Sequence, residues 1–133
     1  MSRTRCLEGQ LILVVEDEPL IAFDVTRVIM AAGATVVSAG YLETGLFSVG
    51  HPELAAAVVD LHLGDGSGAK ICDRLLGLRV PFIIHTAYPQ MLASNAWPSV
   101  PIITKPARPE QIVSALVKLL HRTEPVCRVE GQK

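Results

Sequence analysis

The sequence predicts an α/β fold, in which helices cover both faces of a five-stranded parallel sheet. Three observations favour it. Short apolar runs alternate with amphipathic segments along the 133 residues, and each run is continuous, as in strands that are buried on both faces. The hydrophobic share is 50%, which is enough for the full core of one domain. Strands and helices that alternate in this way form crossover units, which build a parallel sheet between two helical layers.

The first two strand–helix pairs lie in the first 50 residues. The first strand is an apolar run that ends in acidic residues. The first helix begins at Pro19, which suits a first helical turn, and ends at Gly33, which suits a helix end. The second helix is weaker because Gly45 interrupts it. The predicted elements of this part are a strand at 10–16, a helix at 19–33, a strand at 35–39 and a helix at 41–50.

The rest of the chain continues the same pattern around a glycine-rich loop. Its last helix is the clearest, since Pro109 and Glu110 stand in the first turn and Lys118 stands near the end, where the helix dipole favours it. The segment 88–100 holds at most about two or three helical turns between two prolines. The other predicted elements are a strand at 53–61, a helix at 69–78, strands at 80–87 and 101–105, and the last helix at 108–122.

The same pattern divides the chain into three parts and excludes several functions. Residues 10–121 are expected to form the domain, residues 1–9 a flexible N-terminal arm, and residues 122–133 a frayed tail. The net charge is −1, from 12 basic and 13 acidic residues, and no basic stripe supports nucleic-acid binding. No apolar run is long enough for a membrane span, and the N-terminus lacks the apolar core of a signal peptide. We therefore expect a cytoplasmic protein that binds neither membrane nor nucleic acid.

Polar and charged residues stand at the predicted strand ends, which meet at one edge of a parallel sheet. They are Glu16, Asp17, Asp60, Thr86 and Lys105. Three carboxylates at one edge repel one another unless a cation lies between them, and oxygen ligands of this kind suit Mg²⁺. A site with Mg²⁺, an ammonium and a hydroxyl is suited to bind phosphoryl oxygens while a carboxylate attacks phosphorus. The pattern therefore indicates phosphoryl chemistry at this edge of the sheet.

Each of these residues also has a simpler interpretation. Asp60 is a common residue type where a strand turns, and Glu16 or Asp17 is suited to cap the helix that follows. Lys105 is compatible with a solvated strand end, and Thr86 with a half-buried strand residue. These interpretations account for the residues one at a time. They do not account for all five at one edge.

Four segments of the sequence carry a family resemblance. They are VVEDEPL (14–20), VVDLHLGDGSG (58–68), PFIIHTAY (81–88) and ITKP (103–106). In this order and spacing the sequence resembles the receiver domain of two-component response regulators over residues 10–121. The resemblance implies a flavodoxin-like (βα)5 doubly wound fold with strand order 2-1-3-4-5. The stretch HTAY is similar to the Phe-Ala-Thr-Gly-x-Tyr signature of a subgroup of stand-alone, single-domain regulators.

The resemblance also implies a role for each strand-end residue. Asp60 is expected to be the phosphoacceptor, Thr86 the switch hydroxyl and Lys105 the contact to the phosphoryl group. The expected ligands of Mg²⁺ are Glu16, Asp17, Asp60 and the backbone carbonyl of His62. The implied phosphoryl donor is a sensor histidine kinase or a histidine phosphotransfer protein, and the implied output is a contact with a downstream protein target. Such a protein is a phosphorylation switch and not an enzyme that turns over external substrates.

Two positions near the lysine depart from the family pattern. Ile102 stands where receivers carry an aromatic residue three before the lysine, and Ala107 stands where a Phe follows the proline. Tyr88, two residues after Thr86, is a candidate to take over part of the role of the missing aromatic side chain.

Other interpretations remain open from the sequence. A phosphorylation-independent interaction domain would keep the fold without using the site. A phosphatase would use Asp60 as its nucleophile, but such enzymes carry a second acid two residues later, where this chain has His62. On the last helix, Val113, Val117 and Leu120 form a second apolar line, which is either part of a broad buried face or a surface for a homodimer or another partner.

Overall fold

Strands and helices alternate along the chain, with one short hairpin between them. The computed structural model describes residues 6–89 and 97–121. Its elements are β1 (Leu11–Val15), α1 (Pro19–Ala31), β2 (Thr35–Ala39), α2 (Leu42–Val49), β3 (Leu54–Val59), β4 (His62–Leu63), β5 (Gly66–Ser67), α3 (Ala69–Gly77), β6 (Phe82–Thr86), β7 (Ile102–Thr104) and α4 (Pro109–Leu120). The helical turns predicted in 88–100 fall mostly on residues 90–96, which lie outside the described residues, as do residues 1–5 and the predicted tail. Within the described ranges, no helix is long and apolar enough to cross a membrane.

The central sheet has five parallel strands in the order β2-β1-β3-β6-β7. Because β4 and β5 pair with each other in a separate sheet, this is the predicted order 2-1-3-4-5 of the five long strands. The strand β1 lies between β2 and β3, where Val15 pairs with Ala39 on one side and Val59 on the other. The apolar run of β1 is therefore enclosed within the sheet, and the flavodoxin-like α/β sandwich is confirmed.

Two apolar clusters fill the space between the sheet and its helices. Successive residues of a strand enter opposite clusters, since side chains alternate across a sheet. In β1, Ile12 and Val14 belong to the cluster of α1 and α4, whereas Leu13 and Val15 belong to the cluster of α2 and α3. Burial of each such side chain contributes about 1.5–3 kcal/mol. These two layers hold the strand ends, and with them the polar residues, at one edge.

The last helix, α4, buries both of its apolar lines. Val113 and Val117 are 1% and 6% exposed and share a cluster with Ile112 and Leu116, and Leu120 packs against that cluster. The second line is therefore part of a broad buried face, which is one of the two interpretations that the sequence leaves open, and a homodimer through the region of this helix stays a prediction. The buried face is broad because α4 packs against α1 as well as against the sheet.

The predicted N-terminal arm is packed where it meets the domain. Residues 6–9 form a turn, in which Leu7 is fully buried and its N–H donates to the carbonyl of Ala32 at 2.8 Å. Gly33 permits this approach: its φ is +103°, and a Cβ there would lie 2.9 Å from the Cα of Glu8. The structure thus differs from the expected boundary at residue 10, because Leu7 belongs to the apolar cluster of α1 and α4.

Candidate functional site

Four strands of the central sheet end at the same edge and carry polar residues there. Glu16 follows β1, Asp60 follows β3, Thr86 ends β6 and Lys105 follows β7. Glu16, Asp60 and Thr86 are buried, at 4%, 3% and 1% exposure, and Lys105 is half-buried. The structure brings Glu16, Asp60 and Lys105 into direct contact, as the rule for parallel strand ends predicts.

Lys105 joins the two buried carboxylates. Its Nζ lies 2.9 Å from Oε1 and 3.0 Å from Oε2 of Glu16, and 3.0 Å from Oδ2 of Asp60. The Lys105–Pro106 peptide bond is cis. One ammonium stands against two carboxylates, so the group is one positive charge short of neutral when all three are ionised. Because an uncompensated charge is costly to bury, the pocket is suited to accept a further cation.

Backbone N–H groups orient the carboxylates. The N–H of His62 donates to Oδ1 of Asp60 at 3.0 Å, and the N–H of Glu18 donates to Oε2 of Glu16 at 3.2 Å. Gly68 lies against the main chain of Asp60, and a Cβ at that position would collide with the Asp60 carbonyl oxygen. The turns that follow β1 and β3 therefore set the direction of both acidic side chains.

Asp17 completes a group of three carboxylates. Glu16, Asp17 and Asp60 each offer an oxygen, and these oxygens lie within 4.8 Å of one another. Asp17 is exposed whereas the other two are buried, so the group is open to water on one side. Hard oxygen donors with room for water fit Mg²⁺, which usually keeps several of its waters. Gly64 stands beside this opening, where a Cβ would still be 3.9 Å from Oδ2 of Asp17.

The pKa values in the pocket reflect burial and the neighbouring charges. Burial, with the charge of Asp60, raises the pKa of Glu16 to about 7, although the hydrogen bond from Lys105 lowers it. Burial lowers the pKa of Lys105, but the hydrogen bonds and charges of Glu16 and Asp60 outweigh burial and leave that pKa raised. Lys105 therefore stays charged at neutral pH. Burial disfavours the ionised form of Glu16, and a bound cation would favour that form.

His85 lies in the same pocket, although the sequence suggests no role for it. Its Nδ1 lies 4.0 Å from Oε1 of Glu16, and its buried Nε2 has no hydrogen-bond partner among the residues that the structure describes. Burial and the charge of Lys105 lower the pKa of His85 to about 4, so the ring is neutral at pH 7. The strand pattern could have predicted that His85 is buried, because side chains alternate along a strand and His85 lies on the same face of β6 as the buried Ile83.

Thr86 is bonded to the turns on both sides of it. Its hydroxyl accepts the N–H of Tyr88 at 3.1 Å, and its carbonyl accepts the N–H of Lys105 at 2.8 Å. The hydroxyl keeps its own proton for a further acceptor. The rings of Tyr88 and His62 lie 4.9 Å apart at their centroids, with their planes tilted by 47°. The turn after β3 and the turn after β6 are therefore in contact close to Asp60 and Thr86.

The glycine-rich loop after Asp60 contains the hairpin β4–β5, which the sequence analysis did not predict. Its turn carries Asp65, whose carboxylate accepts the N–H of Leu42 at 2.7 Å and the N–H of Glu43 at 3.4 Å. The N–H of Leu42, and to a smaller extent that of Glu43, lowers the pKa of Asp65. Asp65 thus caps the start of α2 from 23 residues away, a contact that no local spacing in the sequence signals.

Comparisons with known proteins show what this arrangement is similar to. The Phyllosphere-induced regulator PhyR of Methylorubrum extorquens is 29% identical, over 82% of this chain and 43% of that protein. The anti-anti-sigma factor PhyR from Bartonella quintana is 27% identical with a TM-score of 0.67, over 83% of this chain and 46% of that one. A response regulator receiver protein from Sinorhizobium medicae is 22% identical with a TM-score of 0.77, over 86% and 96% of the two chains. No family model matches the sequence.

The matches differ in how much of the other protein they cover. The chain spans less than half the length of the two PhyR proteins, whereas it matches nearly all of the receiver protein. The similarity therefore covers one unit of the longer proteins. With the strand order and the four sequence motifs, it shows that this chain has the fold of response regulator receiver domains, including those of PhyR, and resembles them in sequence.

Proposed function

We propose that the chain is a phosphorylation switch in which Asp60 accepts a phosphoryl group. The observation that carries the proposal is the contact of Lys105 Nζ with both Glu16 and Asp60, at 2.9 Å and 3.0 Å, beside the third carboxylate of Asp17. Phosphoryl transfer to a carboxylate needs a nucleophile, a fixed cationic side chain and metal-binding oxygens at one point. The similarity to receiver proteins supports the same role.

The donor set fits Mg²⁺, and we assign four groups to it. They are the carboxylates of Glu16, Asp17 and Asp60 and the backbone carbonyl of His62. When bound, Mg²⁺ neutralises charge on the phosphoryl oxygens and on the carboxylates that face them. Lys105 supplies a second, compact positive charge and stays ionised at neutral pH because of its contacts with Glu16 and Asp60.

The proposed reaction exchanges one bond to phosphorus for another. An oxygen of the Asp60 carboxylate bonds to phosphorus while the phosphorus–nitrogen bond of a phosphohistidine donor breaks. The electron pair of that bond stays on the leaving nitrogen, and the donor ring departs as neutral imidazole when its other nitrogen carries a proton. Lys105 contacts the phosphoryl oxygens of the product, and the Thr86 hydroxyl has a proton to donate to one of them.

Movement of Thr86 carries the signal away from Asp60. The N–H of Lys105 bonds to the Thr86 carbonyl and the Thr86 hydroxyl accepts from Tyr88, so a shift of Thr86 moves the turns after β6 and β7 together. Tyr88 and Ile102 are 47% and 46% exposed on these segments. We place the partner-binding face near residues 87–120, of which 90–96 lie outside the described residues. Tyr88 takes part of the role of the aromatic residue that Ile102 replaces. Phosphorylation shifts the population of this face between two arrangements.

The proposed partners are proteins on both sides of the switch. A sensor histidine kinase or a histidine phosphotransfer protein supplies the phosphoryl group in the cytoplasm. The output is a contact with a downstream protein, which the similarity to the anti-anti-sigma factor PhyR supports. This chain covers 46% of that relative, so the identity of its target is not carried over.

The test is the intact mass of the protein after incubation with acetyl phosphate, with and without Mg²⁺. We expect one added phosphoryl group on the wild type when Mg²⁺ is present, and none on Asp60→Asn. Asp24→Asn is the matched control, since it makes the same change at an exposed carboxylate on α1 and should be phosphorylated like the wild type.

Three results would contradict the proposal. An adduct that persists in Asp60→Asn would place the chemistry elsewhere. The absence of an adduct, together with no binding of beryllofluoride to the wild type, would leave a phosphorylation-independent interaction domain. Continuous release of phosphate from an external phosphate ester would instead identify a phosphatase that uses Asp60 as its nucleophile.

A further inference from the structure

We propose that Asp65 is a positioning residue, which holds the loop after Asp60 in the shape that binds the metal. The inference rests on the proposed function, because it concerns the Mg²⁺ that the phosphoryl transfer uses. Asp65 is exposed and is not one of the ligands assigned above. Its effect on the metal is indirect and passes through the hairpin β4–β5.

A contact with α2 holds the turn of the hairpin. The residue before this helix, Tyr41, makes no side-chain cap within the described part of the chain. Asp65 supplies the cap instead, by accepting the N–H groups of Leu42 at 2.7 Å and Glu43 at 3.4 Å. Orphan N–H groups at a helix start are strong donors, and a carboxylate is favoured there by the helix dipole. The turn of the hairpin is therefore tied to a rigid element.

The hairpin also lies close to the same helix. Gly66, next to Asp65, has a φ of +153°, and a Cβ there would lie 2.8 Å from Cδ2 of Leu42. A side chain at this position would have to displace the end of the Leu42 side chain and would adopt a backbone conformation that favours glycine. The glycine and the carboxylate thus act together, since one permits the approach and the other holds it.

The other end of the hairpin is linked to the group of three carboxylates. His62 begins the hairpin, and its N–H donates to Oδ1 of Asp60 at 3.0 Å. Gly64, at the turn, stands beside Asp17, with 3.9 Å from the place of a Cβ to Oδ2. One part of the loop is therefore bonded to Asp60 and its turn to α2. The carbonyl that we assign to the metal belongs to His62, between these two attachments. Loss of the Asp65 contact frees the turn and with it that carbonyl.

The experiment is a calorimetric titration of the full chain with Mg²⁺. We expect Asp65→Ala to weaken Mg²⁺ binding about fivefold, because loss of the helix cap frees the turn that positions the His62 carbonyl. Asp65→Asn keeps an acceptor oxygen and should retain most of the affinity. Glu43→Gln is the charge control: it removes one negative charge at the start of the same helix, leaves the cap in place and should bind like the wild type.

A second measurement separates positioning from a general loss of stability. Coupling between two sites is reciprocal, so Mg²⁺ should slow amide hydrogen exchange at Leu42 and Glu43 in the wild type and not at Leu42 in Asp65→Ala. Equal affinity of the wild type and Asp65→Ala, with no effect of Mg²⁺ on these amides, would overturn the role of Asp65 and leave the proposed function intact. Failure of the wild type itself to bind Mg²⁺ would overturn both.

Discussion

The substitution Lys105→Met tests how the two buried carboxylates are compensated. Methionine keeps most of the apolar stem but removes the ammonium that lies 2.9 Å from Glu16 and 3.0 Å from Asp60. The side chains of Glu16 and Asp60 are 3% and 4% exposed, so water does not replace the lost contacts. Breaking a buried ion pair in this way costs about 3–5 kcal/mol. We expect the free energy of unfolding near pH 9 to fall by an amount of that order.

The loss should become smaller as the pH falls from about 9 to about 7. Burial raises the pKa of Glu16 from 4.5 to about 7 in the wild type, and the hydrogen bond from Lys105, which lowers it, is absent in the variant. Between the folded and unfolded pKa values the folded protein holds a proton that the unfolded chain does not. The stability that this proton contributes is therefore fully present below the unfolded pKa. It is lost as the pH rises through the folded pKa, by at most about 1.4 kcal/mol per pH unit. Because the folded pKa is higher in the variant, this loss continues to a higher pH there, and the difference in stability between the variant and the wild type is largest in alkaline solution.

The assay is urea unfolding followed by circular dichroism, with and without Mg²⁺. Mg²⁺ at about ten times its dissociation constant should return about 1.4 kcal/mol to the variant. Lys118→Met, at an exposed position on α4, is the control and should change stability by no more than about 0.5 kcal/mol. A Lys105→Met variant that is as stable as the wild type near pH 9, and indifferent to Mg²⁺, would refute the role of Lys105 as the compensating charge.

Two further substitutions probe the surroundings of the site by the same urea titration. Gly68→Ala drives a Cβ into the Asp60 carbonyl and should cost about 1–3 kcal/mol. Gly77→Ala, whose Cβ meets nothing within 4 Å in the described part of the chain, should be neutral or stabilising by up to about 1 kcal/mol, and equal effects at both glycines would contradict the packing argument. His85→Val removes a ring that is buried and neutral. Burial and the charge of Lys105 lower the pKa of His85 from 6.5 to about 4. Between these two values the unfolded chain binds a proton that the folded chain does not. The wild type therefore loses up to about 3 kcal/mol relative to this variant as the pH falls through that range, and a constant difference would contradict the burial of a neutral ring.

The strands are predictable because burial on both faces requires a continuous apolar run. The run at 10–16 predicts β1, which lies at Leu11–Val15, and the run at 80–87 predicts β6, which lies at Phe82–Thr86. The predicted ends extend one or two residues too far. At its carboxyl end, β1 stops just before Glu16, whose side chain turns to Lys105 and whose N–H still bonds to the neighbouring strand. Local pattern thus identifies a strand more reliably than the residue at which it ends.

The hairpin β4–β5 shows where local pattern is too weak. Each of its strands has two residues, and glycines surround its turn, so neither periodicity nor residue preference separates it from an irregular loop. The hairpin is held by contacts with α2, through Asp65 and Gly66, which lie far from that helix in sequence. Its existence depends on the packing of the whole domain.

The sequence by itself determined the fold class, the order of the long strands and the helices between them, and the residues that stand at the strand ends, because alternation and apolar periodicity are local and parallel strands share one direction. Only the tertiary structure decided which side chains touch there. Lys105 reaches Glu16 across 89 residues, and Asp65 reaches α2 across 23. Only the tertiary structure likewise decided that His85 enters the pocket and that the second apolar line of α4 is buried, since burial depends on what packs against a face and not on the face alone.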